Sequence, residues 1–194
     1  MSLLYSTSTQ KVLDNSKNFI SGGSFIFSGD KGLGKCLAAK NLAANILDCK
    51  VESLDYQADY LYIEPDEGSI KIDQVREISE FISYLPSCAS AKIVIIDDAN
   101  SMTVATQNAL LKNLEDGTKY TMFFLVSHED SLLDTIKSRS KEVLFHPLNK
   151  EQLNQFFEGQ QVNEFALKLC EGRIGFYHMP VSYTHLRAHE TLSD

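Results

Sequence analysis

The chain has 194 residues, a net charge of −8 at pH 7 and four cysteines. No apolar run approaches the roughly 20 residues of a membrane span, and no basic segment precedes an apolar one as in a secretory signal. The acidic balance argues against a protein that grips DNA alone, because phosphate contacts need a basic surface. We therefore expect a cytoplasmic protein without membrane contacts, and a subunit of a DNA-binding assembly is compatible with these features.

The cysteines are Cys36, Cys49, Cys88 and Cys170, and none belongs to a C-x-x-C pair. Free thiols in a cytosolic chain are the simplest account of this spacing. The sequence therefore predicts no structural zinc site.

The predicted elements alternate between strands and helices over most of the chain. The predicted helices cover 5–17, 35–47, 72–84 and 103–114, with a short one just before Arg139. The predicted strands cover 24–28, 59–63, 92–97, 121–126 and 142–145. This alternation predicts an α/β fold with a five-stranded parallel sheet and helices on both faces. Ligands of such sheets bind beyond the carboxyl ends of the strands.

Two details of the predicted helices can be tested. Helical spacing predicts that six apolar residues share one face of helix 72–84 and its end: Ile72, Val75, Ile78, Phe81, Ile82 and Leu85. Gly117 is predicted to end helix 103–114, because glycine readily takes the left-handed conformation of a helix C-terminus.

The pattern changes after Pro147, where two short helices over 150–157 and 162–170 have no strand between them. We therefore divide the chain into a nucleotide-binding-like domain over 1–148 and the start of a small helical domain over 149–178. Residues 179–194 resemble a non-native read-through sequence, and we expect a non-native or disordered tail there. The natural chain is accordingly expected to continue differently after about residue 176.

The segment from Gly29 to Cys36 fits the phosphate-binding motif G-x-x-x-x-G-K-[ST] at every position but the last. Gly29, Gly32 and Gly34 would let backbone N–H groups surround phosphate oxygens, and Lys35 would reach the outer phosphates. Cys36 replaces the hydroxyl that should hold Mg²⁺, and a neutral thiol is a poor ligand for this hard cation. The loop is therefore compatible with ATP, while Cys36 argues against Mg²⁺. The alternative is a glycine-rich turn with no ligand.

Three polar residues follow predicted strands and complete the candidate nucleotide site. Asp97 ends the third strand, where P-loop enzymes place the Asp that orients Mg²⁺. Asp98 stands where many such ATPases carry a catalytic Glu, and its shorter side chain makes it a weak candidate for that role. Ser127 ends the fourth strand and is a candidate contact for the γ-phosphate or attacking water. The alternative for Asp97 and Asp98 is a turn that caps the strand.

Arg139 lies in the turn between the short helix and the fifth strand. An arginine on a rigid turn can offer its planar guanidinium to a phosphate bound by a neighbouring subunit. The alternative is a surface arginine paired with an acidic residue.

Together these segments resemble the clamp loader subunits of bacterial DNA polymerase III, which are AAA+ ATPases. The resemblance covers 25–176, and its most specific segments are IIDDAN (95–100), NALLKNLED (108–116), FLVS (124–127) and LDTIKSRS (133–140). It implies a three-layer P-loop AAA+ fold followed by the start of a helical lid, and a function in DNA replication.

Four departures from the gamma/tau motor subunit favour the delta-prime type. Cys36 interrupts the loop, Asp98 replaces Glu, the zinc module is missing, and the segment before the loop lacks the usual motor-subunit sequence. IKIDQVRE (70–77) also resembles delta-prime. The resemblance implies an accessory subunit of a DNA-directed DNA polymerase complex with weak or absent ATPase activity. Its partners would be gamma/tau and delta subunits, and it would reach the sliding clamp and primed DNA through the complex. Arg139 would act in trans on ATP bound by a neighbour.

Two alternatives remain open from the sequence. The first is an active ATP-hydrolysing subunit of the gamma/tau kind, which would hold Mg²⁺ through Asp97 without help from Cys36. The second is another P-loop protein, such as a Holliday-junction motor of the AAA+ class or a small nucleotide kinase.

Overall fold

The computed structural model describes residues 22–116, 119–149, 151–153 and 172–173. The predicted helix over 5–17, Gly117, nearly all of the small helical domain and the tail lie outside these residues. The division into domains therefore stays a prediction. No helix within the described residues is long and apolar enough to cross a membrane.

Five parallel strands form one sheet in the order β2-β3-β4-β1-β5. The strands are β1 (Gly23–Ser28), β2 (Tyr60–Ile63), β3 (Lys92–Ile96), β4 (Thr121–Val126) and β5 (Ser140–Leu144). The helices are α1 (Lys35–Ile46), α2 (Ile72–Ser83), α3 (Val104–Asp116) and α4 (Asp134–Lys137), with 3₁₀ turns at Val51–Tyr56 and Ala99–Ser101. The predicted five-stranded parallel sheet is therefore confirmed.

Both faces of the sheet are covered, because alternate residues of each strand point to opposite sides. Phe25, Phe27 and Phe124 belong to the core that includes α1, whereas Ile26 and Phe123 belong to the core that includes α2 and α3. Every residue of β3 and β4 is buried, as expected for central strands between two helical layers.

The predicted apolar face of α2 does not continue to Leu85, and it is buried only in part. Val75 and Ile78 are buried, but Ile72 is 43% exposed and Leu85 is 71% exposed. The helix ends at Ser83, and Tyr84 has an extended backbone, so Leu85 no longer continues the helical face. The core contacts of α2 therefore come from the buried Val75 and Ile78 and from Phe81 and Ile82, which are partly buried against the same core.

Candidate nucleotide site

The predicted loop connects β1 to α1 at the carboxyl edge of the sheet. Gly32 and Gly34 have φ angles of 87° and 78°, in the left-handed region that glycine adopts without strain. Gly29 has a φ of 128°, and a Cβ on it would lie 2.4 Å from the carbonyl oxygen of Phe145. The loop can therefore close against the segment after β5 only because Gly29 has no side chain.

Lys35 begins α1 and is buried, with 6% of the residue exposed. Its Nζ donates to the carbonyl oxygens of Gly29 and Asp30, each at 2.5 Å. Burial lowers the pKa of Lys35 to about 8, although the nearby carboxylates of Asp30, Asp97 and Asp98 partly oppose that shift. The side chain of Lys35 is therefore buried within the loop, and its ammonium group contacts the loop backbone.

Cys36 lies next to an aromatic residue that the sequence analysis did not select. Its Sγ is 3.7 Å from the hydroxyl oxygen of Tyr62 on β2, and that hydroxyl donates to Asp97 Oδ2 at 2.9 Å. Burial and the negative charge of Asp97 raise the pKa of Cys36 to about 12. At neutral pH residue 36 therefore presents a protonated thiol.

The two aspartates follow β3 directly, as their position in the sequence indicated. Asp97 Oδ1 accepts a hydrogen bond from the backbone N–H of Asp98 at 3.0 Å. Asp98 has a φ of 49°, a left-handed conformation that few residues other than glycine adopt. Its Oδ1 lies 3.1 Å from Nδ1 of His128. The carboxylate of Asp98 thus faces an imidazole across the carboxyl edge of the sheet.

Ser127 is buried, and its hydroxyl lies close to a backbone acceptor and a side-chain acceptor. Its hydroxyl donates to the carbonyl of Glu129 at 2.7 Å, and Oδ1 of Asn100 lies 3.4 Å from the same hydroxyl oxygen. The same Asn100 oxygen accepts the backbone N–H of His128 at 3.2 Å. Asn100 therefore connects the turn after β3 to the turn after β4.

The two turns border adjoining clefts. A cleft of about 530 Å³ is lined by the loop and by Glu64, Pro65, Asp97, Asp98, Val126 and His128. A neighbouring cleft of about 420 Å³ contains Gly29, Asp30 and Ser127. The fold therefore brings loop residues 31–36, Asp97 and Asp98 into one cleft and places Gly29, Asp30 and Ser127 in the other.

Tyr62, Asn100 and His128 are the polar residues of this site that sequence reasoning missed. Asn100 and His128 follow the carboxyl ends of β3 and β4, which is the signal that could have selected them. Tyr62 lies within a strand, where an aromatic residue reads as part of the core, so nothing in the sequence distinguished it.

At the position where a P-loop site would hold magnesium, the two protein groups are Cys36 and Asp97. The thiol of Cys36 is protonated, and one oxygen of Asp97 already accepts the Tyr62 hydroxyl. Magnesium takes oxygen ligands, and in nucleotide sites phosphates and waters supply most of them, so the protein contribution that is changed here is the missing hydroxyl at residue 36.

Arg139 lies just before the amino end of β5. The loop lies beyond the carboxyl ends of the strands, at the opposite end of the sheet. Ser140 is level with Ser24 at the start of β1, whereas the loop follows Ser28 at its end. Six residues of strand at about 3.3 Å each separate Arg139 from Gly29 by roughly 20 Å, beyond the reach of an arginine side chain. The guanidinium instead contacts Glu115 of α3, with Nε 2.7 Å and Nη2 2.6 Å from Oε1.

A family described as "DNA polymerase III, delta subunit" matches residues 7–149 of the chain. The chain belongs to this family. Within it, the DNA polymerase III subunit delta′ of Pseudomonas aeruginosa is 33% identical over 132 residues, covering 59% of this chain and 40% of that protein. The delta′ subunit of Bacillus subtilis is 31% identical over 159 residues, covering 75% of this chain and 48% of that protein. The chain spans less than half the length of both relatives, and the predicted delta-prime type is confirmed.

Solved structures agree with the fold of this family member. A gamma subunit-related protein of DNA polymerase III from Thermotoga maritima matches with a TM-score of 0.68 at 24% identity, covering 94% of this chain and 62% of that chain. RuvB from the same organism matches with a TM-score of 0.57 at 13% identity, covering 87% of this chain and 57% of that chain. These likenesses confirm the predicted α/β fold.

Proposed function

We propose that the protein is a delta-prime-type clamp loader subunit of DNA polymerase III that completes the ATP site of a neighbouring subunit. The observation that carries this proposal is the position of Arg139, at the edge of the sheet away from the protein's own loop. A cation at that edge cannot reach a nucleotide on its own chain. It is suited to a phosphate bound at the loop edge of an adjacent subunit.

The protein's own cleft fits a subunit with weak or absent ATPase activity. The protonated thiol of Cys36 and the engaged carboxylate of Asp97 disfavour a bound magnesium ion. The loop glycines and Lys35 remain compatible with nucleotide phosphates. In this proposal the partners are a gamma/tau ATPase and a delta subunit, the complex acts on the sliding clamp and primed DNA, and the protein works in the cytoplasm.

The test is reconstitution of the chain with a gamma/tau-type ATPase and a delta subunit, followed by ATP hydrolysis in the presence of clamp and primed DNA. Arginine residues that act in trans contribute roughly 10³- to 10⁵-fold to hydrolysis in well-studied nucleotide enzymes. We expect Arg139→Ala to lower the hydrolysis that depends on this subunit by at least about 10²-fold. Arg139→Lys is expected to fail as well, because lysine lacks the planar guanidinium.

Lys141→Ala is the matched control, because Lys141 is an exposed cation two residues further along β5. We expect this variant to hydrolyse ATP like the parent complex. Full activity of Arg139→Ala in the reconstituted complex contradicts the proposal.

A second candidate is an ATP-hydrolysing subunit of the gamma/tau kind. It is favoured by a likeness to the tau subunit of Bacillus subtilis, 27% identical over 166 residues, and by the intact glycines and lysine of the loop. Hydrolysis of ATP by the chain alone, abolished by Lys35→Ala, would favour this candidate. The similarity to RuvB is a similarity of fold alone, so a Holliday-junction motor is less well supported.

A further inference from the structure

The hydroxyl of Tyr62 lies between the two residues that would hold magnesium in a P-loop ATPase. These are the residue after the loop lysine and the aspartate at the end of the third strand. Here they are Cys36 and Asp97, and the Tyr62 hydroxyl is 3.7 Å from the sulfur of the first and 2.9 Å from an oxygen of the second. Its proton is donated to the carboxylate that would otherwise face a hydrated cation.

The ring of Tyr62 is held from two sides. Its backbone pairs with β3 in the parallel register, with Tyr62 opposite Ile95. Lys40, one turn after Cys36 on α1, places its Nζ 4.0 Å from the centroid of the ring. The attraction of an ammonium to an aromatic face favours this position of the ring. Three elements of the fold therefore fix the hydroxyl where it is.

We propose that Tyr62 closes the metal position of this cleft, so that the exclusion of Mg²⁺ depends on the tyrosine as well as on Cys36. The role of Tyr62 rests on the proposed function and deepens it, because it gives a structural reason for the weak or absent ATPase activity proposed above. Placing the consensus hydroxyl at residue 36 therefore does not by itself produce a magnesium-dependent nucleotide site, as long as the Tyr62 hydroxyl donates to Asp97.

The experiment is calorimetric titration of the chain with ATP, once with Mg²⁺ and once with EDTA. It compares the parent, Cys36→Thr, Tyr62→Phe and the double variant. Tyr62→Phe keeps the ring beneath Lys40 and removes only the hydroxyl. We expect the parent and Cys36→Thr to bind ATP with affinities that Mg²⁺ changes by no more than about twofold. The double variant is expected to gain at least about tenfold in affinity when Mg²⁺ is present.

Tyr60→Phe, combined with Cys36→Thr, is the matched control. Tyr60 lies two residues earlier on β2, and its hydroxyl makes no hydrogen bond within the described residues. This control is expected to behave like Cys36→Thr alone. Tyr62→Leu with Cys36→Thr provides a second double variant, because the edge of a phenyl ring can still shield Asp97. Mn²⁺ with ATP, followed by electron paramagnetic resonance, detects the metal directly.

Three results would overturn the role of Tyr62. They are magnesium-dependent binding by the parent, an equal gain in Cys36→Thr and the double variant, and no gain in either double variant that remains folded by thermal melting. These measurements need only the isolated chain. Their outcome is therefore distinguishable from a failure of Arg139 to act on a partner, which is measured in the assembled complex.

Discussion

The guanidinium of Arg139 is paired with the carboxylate of Glu115, a residue 24 positions earlier at the end of α3. Nη1 of Arg139 also donates to the carbonyl of Thr135 at 3.0 Å. These contacts match the alternative interpretation of Arg139 in the sequence analysis, a surface arginine paired with an acidic residue. The pairing is compatible with action in trans, because both side chains are partly open to solvent, with 40% of Arg139 and 50% of Glu115 exposed.

Replacing the acidic partner should separate the structural role of this pair from its proposed functional role. Exposed ion pairs contribute about 0–1 kcal/mol, so Glu115→Gln should lower the free energy of unfolding by no more than about 1 kcal/mol. The same variant should retain the partner hydrolysis that Arg139→Ala loses. Urea denaturation and the reconstituted hydrolysis assay check the two expectations. A loss above about 2 kcal/mol would mean that the pair mainly holds α3 to the turn before β5.

The thiol of Cys36 should be unusually inert. Thiolates are the reactive form, and a pKa near 12 leaves a thiolate fraction at pH 8 that is about 10³-fold below that of an ordinary cysteine. We expect iodoacetamide to label the exposed Cys88 at pH 8 while Cys36 stays unmodified, as read by mass spectrometry of peptides. In urea both cysteines should label at similar rates. Labelling of Cys36 as fast as Cys88 in the folded chain would contradict the raised pKa of this half-buried thiol.

The strands and the loop were predictable because their signals are local. The apolar runs of β3 and β4 are long enough to be fully buried, and their predicted bounds agree with the structure to within one residue. The glycines and Lys35 of the loop are read from spacing alone. The fifth strand begins at Ser140, two residues before its predicted start, because its exposed edge position gives it a weak apolar pattern.

The contacts that complete the candidate site were not predictable in the same way. Tyr62 meets Asp97 across 35 residues, and this pairing follows from the register of β2 against β3, which composition does not specify. Gln107 of α3 accepts the backbone N–H of Leu133, 26 residues away, and so anchors the segment that leads to Arg139. Buried polar side chains of this kind depend on the assembled fold, whereas hydrophobic periodicity depends on the chain nearby.

Asp59 should make stability depend on pH. It is buried just before β2 and accepts the backbone N–H groups of Ser87, Cys88 and Ala89 at 2.7–2.9 Å. Burial alone would raise the pKa of Asp59, but these N–H groups and the charge of Lys92 lower it. Asp59→Asn should cost about 2–3 kcal/mol at pH 7, because hydrogen bonds to a charged acceptor are lost.

The sign of the pH effect follows from the lowered pKa. The stabilisation is fully present above the unfolded value of about 4 and is lost as the pH falls through the lower folded value. Urea denaturation at pH 7 and near pH 3 should therefore show the difference between parent and Asp59→Asn shrinking in acid. Asp73→Asn, at an exposed pair with Arg76, should change stability little at either pH. A difference for Asp59→Asn that does not vary with pH would rule out the charged form as its cause.

Two glycines with similar backbone requirements should respond very differently to alanine. Gly29 has a φ of 128°, and its added Cβ would lie 2.4 Å from the carbonyl oxygen of Phe145. Gly68 has a φ of 85°, but nothing lies within 4 Å of its added Cβ. Gly68→Ala carries backbone strain alone, about 1 kcal/mol, whereas Gly29→Ala adds a backbone clash and should cost more than about 3 kcal/mol.

Chemical denaturation of both variants measures this difference, with thermal melting as a check if Gly29→Ala is poorly folded. Loss of the folded state in Gly29→Ala alone agrees with the prediction, because the carbonyl of Phe145 belongs to the backbone after β5 and cannot rotate away as a side chain would. Equal, small losses in both variants would mean that the loop can move away from β5. In that event the tight closure of the loop against Phe145 would not be a fixed feature of the site.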